Sequence, residues 1–590
     1  METPSSILAA RLRAALAGFG DVDAPVHAVA DARFGDYQTN VAMVLAKQQR
    51  ANPRQVAQQI VDKLDVADLS APPEISGAGF INFRLKSEWL TSQFAALLKD
   101  PRLGVPAPVR ARKFVIDFSS PNVAKPMHIG HIRSTILGDA LARIAAFVGH
   151  EVVRDNHIGD WGTQFGMLLL GWKTELNRAA LEADPIGEME RLYKLISPRC
   201  DEKKPEFDAA VRTAARQELV KLQGGDAENL AIWHEMQRLS QVQFDTIYAR
   251  LGVRFDVMLG ESFYNPQLKS VVEELRARGI AVESEGALCV FSDGSLKPED
   301  DPFLIKDKEG WRPNPALVQK SDGASNYTTT DLATLEYRLK TWSPDEILVL
   351  TDGRQQLHFR QLIAIFRRWH PDLAEKVRMS HVWFGAILGS DGKPFKTRSG
   401  ETVRLAELLD EAEERAFALV AAKNPDLPET ERREIARIVG LGSVKYADLL
   451  PNRQSDYVFS WDKMLSFQGN TAPYLQYSYV RIRSIFRKAG EEVGSQKSEV
   501  SLVEPTEIAL AKKLLQFGEV LPQVLEDYRP NLLANYLYEL AATFHGFFEA
   551  CPVLKSEGAT RASRLALCDV TARTLREGLG LLGIEVPERM

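Results

Sequence analysis

A strand that gives way to a histidine-marked helix narrows most sharply what this chain can fold into. Lys113-Phe-Val-Ile-Asp-Phe118 is rich in β-forming residues, residues 132–148 carry apolar side chains at helical spacing, and Glu151-Val-Val-Arg154 begins a second extended run. Strand, helix and strand in such close succession predict a right-handed crossover between parallel neighbours. Between the first strand and the helix lies Ser119-Ser-Pro-Asn-Val-Ala-Lys-Pro-Met-His-Ile-Gly-His131. Open α/β sheets bind ligands at the carboxyl ends of their strands, which is where this segment falls. His128 and His131 stand three apart and share a face of the first helical turn. Gly130 between them removes a Cβ that would hold a ligand off the backbone. Free N–H groups and the helix dipole point into the same space, which suits a polyphosphate. The plain alternative is a helix start with two incidental histidines; the flanking strands argue against it.

A chain of 590 residues predicts about three or four domains. Its 45% hydrophobic and 26% charged residues are ordinary for a globular protein. No apolar run approaches the roughly 20 residues of a membrane-spanning helix. The first residues, Ser5-Ser-Ile-Leu-Ala-Ala-Arg-Leu-Arg13, are interrupted by arginines and predict an amphipathic helix in place of a signal segment. Cys200, Cys289, Cys551 and Cys568 are scattered, with no Cys-x-x-Cys pair, so neither a zinc site nor a disulfide framework is expected. We therefore expect a cytoplasmic protein with no membrane partner and no resident metal. A net charge of −6 means that any large polyanionic partner needs a local basic surface.

Along the chain, residues 1–110 read as a small α+β module, with helical patterns at 6–19 and 41–63 before the extended Gly79-Phe-Ile-Asn-Phe-Arg-Leu85. From 111 to 460 strands and helices alternate as in a doubly wound parallel sheet. One long interruption, about 186–315, reads as an insertion between its two halves, with a charged helix at 226–251 and a short strand at Ala287-Leu-Cys-Val-Phe291. The second half resumes with Glu346-Ile-Leu-Val-Leu350, a helix at 356–369 and a strand near 377–388. Beyond about 460 strand signals end, and helices at 474–488, 507–528, 531–550 and 561–582 predict an all-α bundle over 461–590.

A second cationic element is Gly389-Ser-Asp-Gly-Lys-Pro-Phe-Lys-Thr-Arg-Ser-Gly400. Pro394 after Gly392-Lys393 and the glycine spacing rule out a Walker loop. Alone it reads as a solvated basic loop; beside the histidine pair, Lys393, Lys396 and Arg398 read as a clamp for a triphosphate.

These motifs carry a resemblance. His128-Ile-Gly-His131 matches the HIGH motif of class I aminoacyl-tRNA synthetases, and the 389–400 loop resembles a degenerate KMSKS loop. Pro121-Asn-Val-Ala-Lys-Pro-Met-His128 and Gly159-Asp-Trp-Gly-Thr-Gln-Phe-Gly166 resemble the arginyl-tRNA synthetases in particular. Gly35-Asp-Tyr-Gln-Thr-Asn40 and Gly77-Ala-Gly-Phe-Ile-Asn82 are similar to that family's N-terminal additional domain. Asn470-Thr-Ala-Pro-Tyr-Leu-Gln-Tyr-Ser-Tyr-Val-Arg-Ile-Arg483 is similar to the start of its helical anticodon-binding domain. The resemblance spans essentially the whole chain.

It implies a monomeric ligase that uses ATP and Mg²⁺ to join L-arginine to tRNA(Arg), built on a Rossmann-type catalytic domain. By the resemblance, His128, Gly130, His131, Lys393 and Lys396 hold ATP, with Arg398 beside them. Thr397 stands where the family pattern has its second lysine, and Lys125 is the expected substitute. Asp117, Ser119, Asn122, His128, Tyr327, Asp331 and Gln355 match arginine contacts. A planar cation with five donors calls for carboxylates and an aromatic wall. Tyr327 and Asp331 lie four apart and share a face if their segment is helical, although Asp331 reads equally as a helix N-cap. For tRNA the resemblance points to Phe80, Asn82, Tyr477, Arg481 and Arg483. The insertion receives no role. Two rival readings remain open, a small-molecule nucleotidyltransferase and a non-catalytic tRNA-binding relative.

Overall fold

Five parallel strands form the centre of the computed structural model, which describes residues 1–19, 22–29, 31–395, 402–492 and 500–590. In chain order the elements around the site are β1 (Lys113–Asp117), α1 (Ile129–Val148), β2 (Glu151–Ile158), α2 (Ala227–Leu251), β3 (Val257–Gly260), α3 (Tyr327–Trp342), β4 (Glu346–Val349), α4 (Gln356–Trp369) and β5 (Arg378–His381). The sheet order is β5-β4-β1-β2-β3 with every pair parallel. Phe114, Val115 and Ile116 of β1 are wholly buried, as the central strand of a sheet covered on both faces must be. In register, Asp117 ends β1 opposite Asp155 of β2 and Val349 of β4. The chain winds outward from β1 to β3, then returns to the other side of β1. That reversal opens a crevice at the carboxyl ends of β1 and β4.

The stretch expected to be one insertion, about 186–315, is not one piece. Val257–Gly260 lies inside it and pairs with β2 as the edge strand of the main sheet. Four residues carry too little pattern to announce a strand from sequence. Before it the chain makes a helical crossover, Thr163–Glu175, Pro185–Cys200, Ala209–Gln223 and α2. After it comes a three-stranded antiparallel sheet of Val282–Ser284, Ala287–Val290 and Ala316–Gln319.

Helix limits obey their local chemistry. Asp226 caps α2 by accepting from the Asn229 N–H, and Gly252 ends it in the left-handed region at φ 62°. The single helix expected at 41–63 is two, Val41–Gln49 and Pro53–Val61, because Arg50 turns left-handed at φ 52° and Pro53 starts a new first turn. The 507–528 helix likewise divides into Pro505–Leu515 and Phe517–Asp527.

The chain divides into two compact units. One is Arg110–Ala422 with Ala447–Met464 and contains the parallel sheet. The other combines Met1–Val109 with Lys423–Tyr446 and Leu465–Met590. In this second unit a four-stranded antiparallel sheet, ordered His27–Ala28, Tyr37–Thr39, Phe80–Phe83 and Glu74–Ser76, joins the C-terminal helices. Buried Glu519 accepts from the Ser5 N–H at 2.9 Å and the Tyr37 hydroxyl at 3.1 Å, and Lys512 pairs with Asp36 at 2.6 Å. Burial holds the Glu519 carboxyl above its ordinary range. The two ends of the chain are thus parts of one body, which no local pattern could announce. Among the described residues no helix is long and apolar enough to cross a membrane.

Candidate active site

The loop leaving β1 is held in an unusual backbone path. Ser119, Ser120 and Ala124 all adopt left-handed conformations, at φ 76°, 49° and 61°. Each costs on the order of 1–2 kcal/mol for a residue with a Cβ and persists only where the surroundings enforce it. They do so here. The Ser119 N–H donates to Ser134 Oγ at 2.9 Å, Thr135 Oγ1 donates to Ser119 Oγ at 2.8 Å, and Ser119 Oγ also lies 2.8 Å from the Tyr248 hydroxyl. Asn156 donates to that hydroxyl and accepts from the Ser120 N–H. Ser119 therefore faces α1 and α2, and its side chain is buried away from the cavity in the crevice.

His128 occupies the N-cap of α1, and its Nδ1 accepts from the Gly130 N–H at 3.1 Å. His131 Nδ1 accepts from the His128 N–H, also at 3.1 Å. With both Nδ1 atoms accepting, each neutral ring carries its proton on Nε2 and can donate outward. Burial, aided by Lys125, lowers the His128 pKa, and burial with His128 itself brings His131 to about 3. The pair is neutral at pH 7, with ring centroids 4.0 Å apart. Gly130 has a reason other than the one its position in the motif predicted. A Cβ there would lie 2.8 Å from the His128 ring, so the glycine makes room for the cap itself.

Two further segments reach this helix start. The Ile129 N–H donates to Val403 O at 3.0 Å and the Leu405 N–H to Met127 O at 2.9 Å, so the chain beyond the cationic loop lies along the histidine motif. Lys125 Nζ sits 4.8 Å above the Tyr193 ring. Lys393 is exposed on a tight turn closed by Gly389 N–H to Lys393 O at 2.7 Å. Lys396, Thr397 and Arg398 lie outside the described residues.

In the crevice itself, Asp117, Asn122, Tyr327, Asp331 and Gln355 line one cavity of 470 Å³. Tyr327 and Asp331 share a face of α3, as their spacing requires, and Asn326 holds the N-cap position instead of Asp331. Asp331 Oδ2 lies 2.6 Å from His358 Nε2, and the His358 ring meets Tyr327 edge-on at 4.8 Å. The Asn122 side chain rests where a Cβ on Gly159 would otherwise be, which accounts for the first glycine of the 159–166 stretch. Asp160, next in line, accepts from the N–H and Oγ of Ser262 and from Gln237, tying β2 to the residues after β3. His128 is not among the lining residues.

Several lining residues were not anticipated, among them Arg338, Glu261 and His358. Arg338, buried on α3, lies 2.7 Å from Asp117 and 2.8 Å from Asp155, so the charge of Asp117 is already matched. Glu261 comes directly after β3, and burial, then Asp331 and Asp160, push its carboxyl up to about 7. His358 is the third of these. The one available signal was Arg338, a cation between the apolar Leu335 and Leu339. Glu261 was hidden behind the unrecognised strand.

In the other compact unit, Tyr477 and Arg481 line an 820 Å³ recess with Arg487, Lys488 and Phe548, and Arg481 stacks over Phe548 at 4.4 Å. Arg483 lies outside it, paired with Glu588 at 2.9 Å. Phe80 is half-buried. Asn82 is buried, donating to Ser76 Oγ at 2.8 Å, with no hydrogen-bond partner for its Oδ1 among the described residues.

A parallel sheet of this order, with two neutral histidines at the first crossover helix and an acidic cavity at the strand reversal, has the build of a class I aminoacyl-tRNA synthetase. Residues 93–461 match the family described as tRNA synthetases class I (R), catalytic domain. Residues 5–85 match the arginyl tRNA synthetase N terminal domain, and 475–590 the DALR anticodon binding domain. The chain is 47% identical to an arginine–tRNA ligase of Laribacter hongkongensis over 100% of both chains, and 48% identical to that of Cellvibrio japonicus over 99% of both. It superposes on Thermus thermophilus arginyl-tRNA synthetase with a TM-score of 0.83, at 27% identity and 100% coverage of both. The chain belongs to the arginine–tRNA ligase family.

Proposed function

We infer that the chain activates L-arginine with ATP and transfers it to tRNA(Arg), and that the 470 Å³ cavity seats the amino acid. One observation carries this. Asp331 and Glu261 share that cavity beside Tyr327, and neither has a lysine or arginine partner among the described residues. Two carboxylates and an aromatic face suit a guanidinium, with its forked donors and flat surface. Asn122 and Gln355 supply polar contacts for the rest of the substrate. Asp117 shapes that end with its carboxylate already engaged by Arg338, which it shares with Asp155. A neutral or shorter analogue leaves the carboxylates unpaired, so discrimination needs no editing step.

In the first step the arginine carboxylate attacks the α-phosphorus of ATP and pyrophosphate leaves. No protein nucleophile is required; alignment and electrostatic stabilisation lower the barrier. The Nε2–H groups of His128 and His131 donate to the oxygens that gain charge, while Gly130 lets His128 take up its cap. Lys125, Lys393, Lys396 and Arg398 serve the β- and γ-phosphates. Among the described residues no three His, Cys, Asp or Glu side chains converge to hold a metal ion. Mg²⁺ is assigned to the nucleotide substrate, as Mg²⁺ is usually carried. In the second step a terminal ribose hydroxyl of tRNA attacks the adenylate. We assign residues 1–110 and 461–590 to tRNA binding and 111–460 to catalysis, although Lys423–Tyr446 belongs to the compact unit of the former. The recess at Tyr477 and Arg481 offers stacking and phosphate contacts, and Arg483 and the half-buried Phe80 complete the proposed surface, to which buried Asn82 is assigned by the family resemblance alone. The reading takes the protein as a cytoplasmic monomer.

Charging bulk tRNA with each labelled amino acid in turn tests the whole reading. Arginine alone is expected to be attached; attachment of another amino acid, or of none, overturns it.

Glu261 gives the site a pH dependence. The cationic substrate needs the ionised carboxylate, and a pKa near 7 in the free protein means that acid competes with arginine. Affinity for arginine is expected to weaken roughly tenfold from about pH 8 to about pH 6, with proton release on binding. Glu261→Gln is expected to bind more weakly at pH 8 and to remove this part of the dependence. Calorimetric titrations in buffers of different ionisation enthalpy measure both; an identical pH profile in the variant excludes Glu261 from the guanidinium site.

A further inference from the structure

One buried charge on α1 has no task in binding arginine or ATP. Arg133 lies two residues beyond His131, and its side chain is almost fully buried. Its Nη1 donates to Gly385 O at 2.7 Å and to Ser455 O at 3.1 Å. Its Nε lies 2.9 Å from Asp448 Oδ1, a carboxylate with no exposure of its own. The guanidinium also lies 5.2 Å from the Tyr457 ring centroid and 5.8 Å from that of Phe384. One side chain thus joins the histidine helix to two separate segments, around 385 and 448–457.

Those segments form the root of the cationic loop. Ile387–Leu388 pairs in parallel with Tyr457–Val458, and the Ala386 N–H donates to Asp456 Oδ1 at 2.6 Å. The Phe395 N–H returns to Ile387 O at 3.0 Å, and the Phe395 ring stacks on Phe459 at 4.6 Å. Gly385 has no room for a side chain, since a Cβ would fall 2.6 Å from Asp456 Oδ1 and from the Ser455 carbonyl carbon. At the loop's far end, Val403 and Leu405 are already bonded to Ile129 and Met127. The loop is therefore fastened to α1 at both ends, by backbone pairing beside His128 and by Arg133 one turn further along.

We propose that Arg133, with Asp448, is a positioning residue that fixes the root of the cationic loop to the histidine helix, holding the two halves of the phosphate site in register. The proposal rests on the reading of His128, His131 and the loop as the ATP site. The geometry favours arginine over any substitute. Only a guanidinium offers several donors in fixed directions, here Nη1 to two carbonyls, with a buried carboxylate at ion-pair distance from Nε. Lysine retains the charge opposite Asp448 but cannot bridge all three.

The test uses the full chain with tRNA present, and scores ATP–pyrophosphate exchange per arginine-binding site counted by calorimetry. Unfolded protein then drops out of the comparison. Arg133→Lys is expected to lower kcat for exchange at least tenfold or raise KM for ATP to a similar degree, with Kd for arginine within twofold. The double variant Arg133→Met/Asp448→Leu removes the pair without leaving a buried charge and is expected to lose at least as much. Exchange within twofold of the parent in both variants, on KM and kcat alike, overturns the positioning role, as does a loss matched by equal weakening of arginine binding. His128→Ala measured alongside separates the two readings. If its exchange is unaffected, the ATP-site assignment itself fails; if it falls while the Arg133 variants remain active, only the positioning role fails.

Discussion

Changing either His128 or His131 to alanine is expected to reduce ATP–pyrophosphate exchange by about 10²–10³-fold, the usual cost of deleting one preorganised donor at a developing oxyanion. Arginine binding should persist, because neither ring lines the acidic cavity. The size of the effect comes from preorganisation. Both Nδ1 atoms accept from backbone N–H groups within the first turn of α1, so each ring is locked with Nε2–H outward before any nucleotide arrives. His128→Ala also removes an N-cap acceptor, costing about 1 kcal/mol of helix stability, which is too little to explain such a loss of rate. His128→Gln, which keeps a donor near the position of Nε2, should recover part of the activity. Because burial brings His131 to about 3, its protonation should leave no step in the exchange rate between about pH 6 and pH 8. Exchange unchanged in both alanine variants would falsify the assignment of the histidines to the phosphate site.

Arg338→Met is expected to have the largest effect on stability, about 3–5 kcal/mol, the usual cost of removing one partner from a buried ion pair. Arg338 sits between Asp117 and Asp155, all three buried, so the variant leaves two carboxylates facing one another without a cation. Burial already holds the Asp155 carboxyl above its ordinary range in spite of Arg338. Without that cation, Asp155 should take up a proton more readily in the folded state. A carboxyl whose folded pKa is raised contributes stability below its unfolded pKa and loses it as pH rises through the folded value. The deficit of Arg338→Met relative to the parent should therefore be larger at pH 8 than at pH 5. Urea midpoints at the two pH values measure it. A deficit below about 1 kcal/mol, equal at both, would place the net value of this triad near that of a surface pair.

Much of the site was legible because its residues lie close together in sequence or at helical spacing. His128 and His131 share one turn, and Tyr327 and Asp331 fall on one face of α3 because an α-helix requires it. Glu261 was not legible. It depends on a four-residue edge strand whose pattern is too short to read, and only the pairing of that strand with β2 brings the carboxylate to the crevice. Ser119 shows the opposite failure. Its place in the motif was read correctly, but a left-handed backbone turns its side chain to Tyr248 and Thr135. Asp117 lies in the cavity as expected, yet Arg338, more than two hundred residues distant in the chain, matches its charge.

By itself the sequence determined the class of fold, the histidine-marked crossover and the types of side chain brought to the site, since periodicity, capping and turn chemistry act over a few residues. Tertiary structure alone decided which charges remain free. Asp331 and Glu261 lack a lysine or arginine partner among the described residues, although Asp331 meets His358, while Asp117 and Asp155 share the single cation Arg338 and Arg133 is engaged with Asp448. The physical reason is that a charge's state depends on its neighbours within a few ångströms and on its exposure to water. Both are set by pairings between residues far apart in the chain.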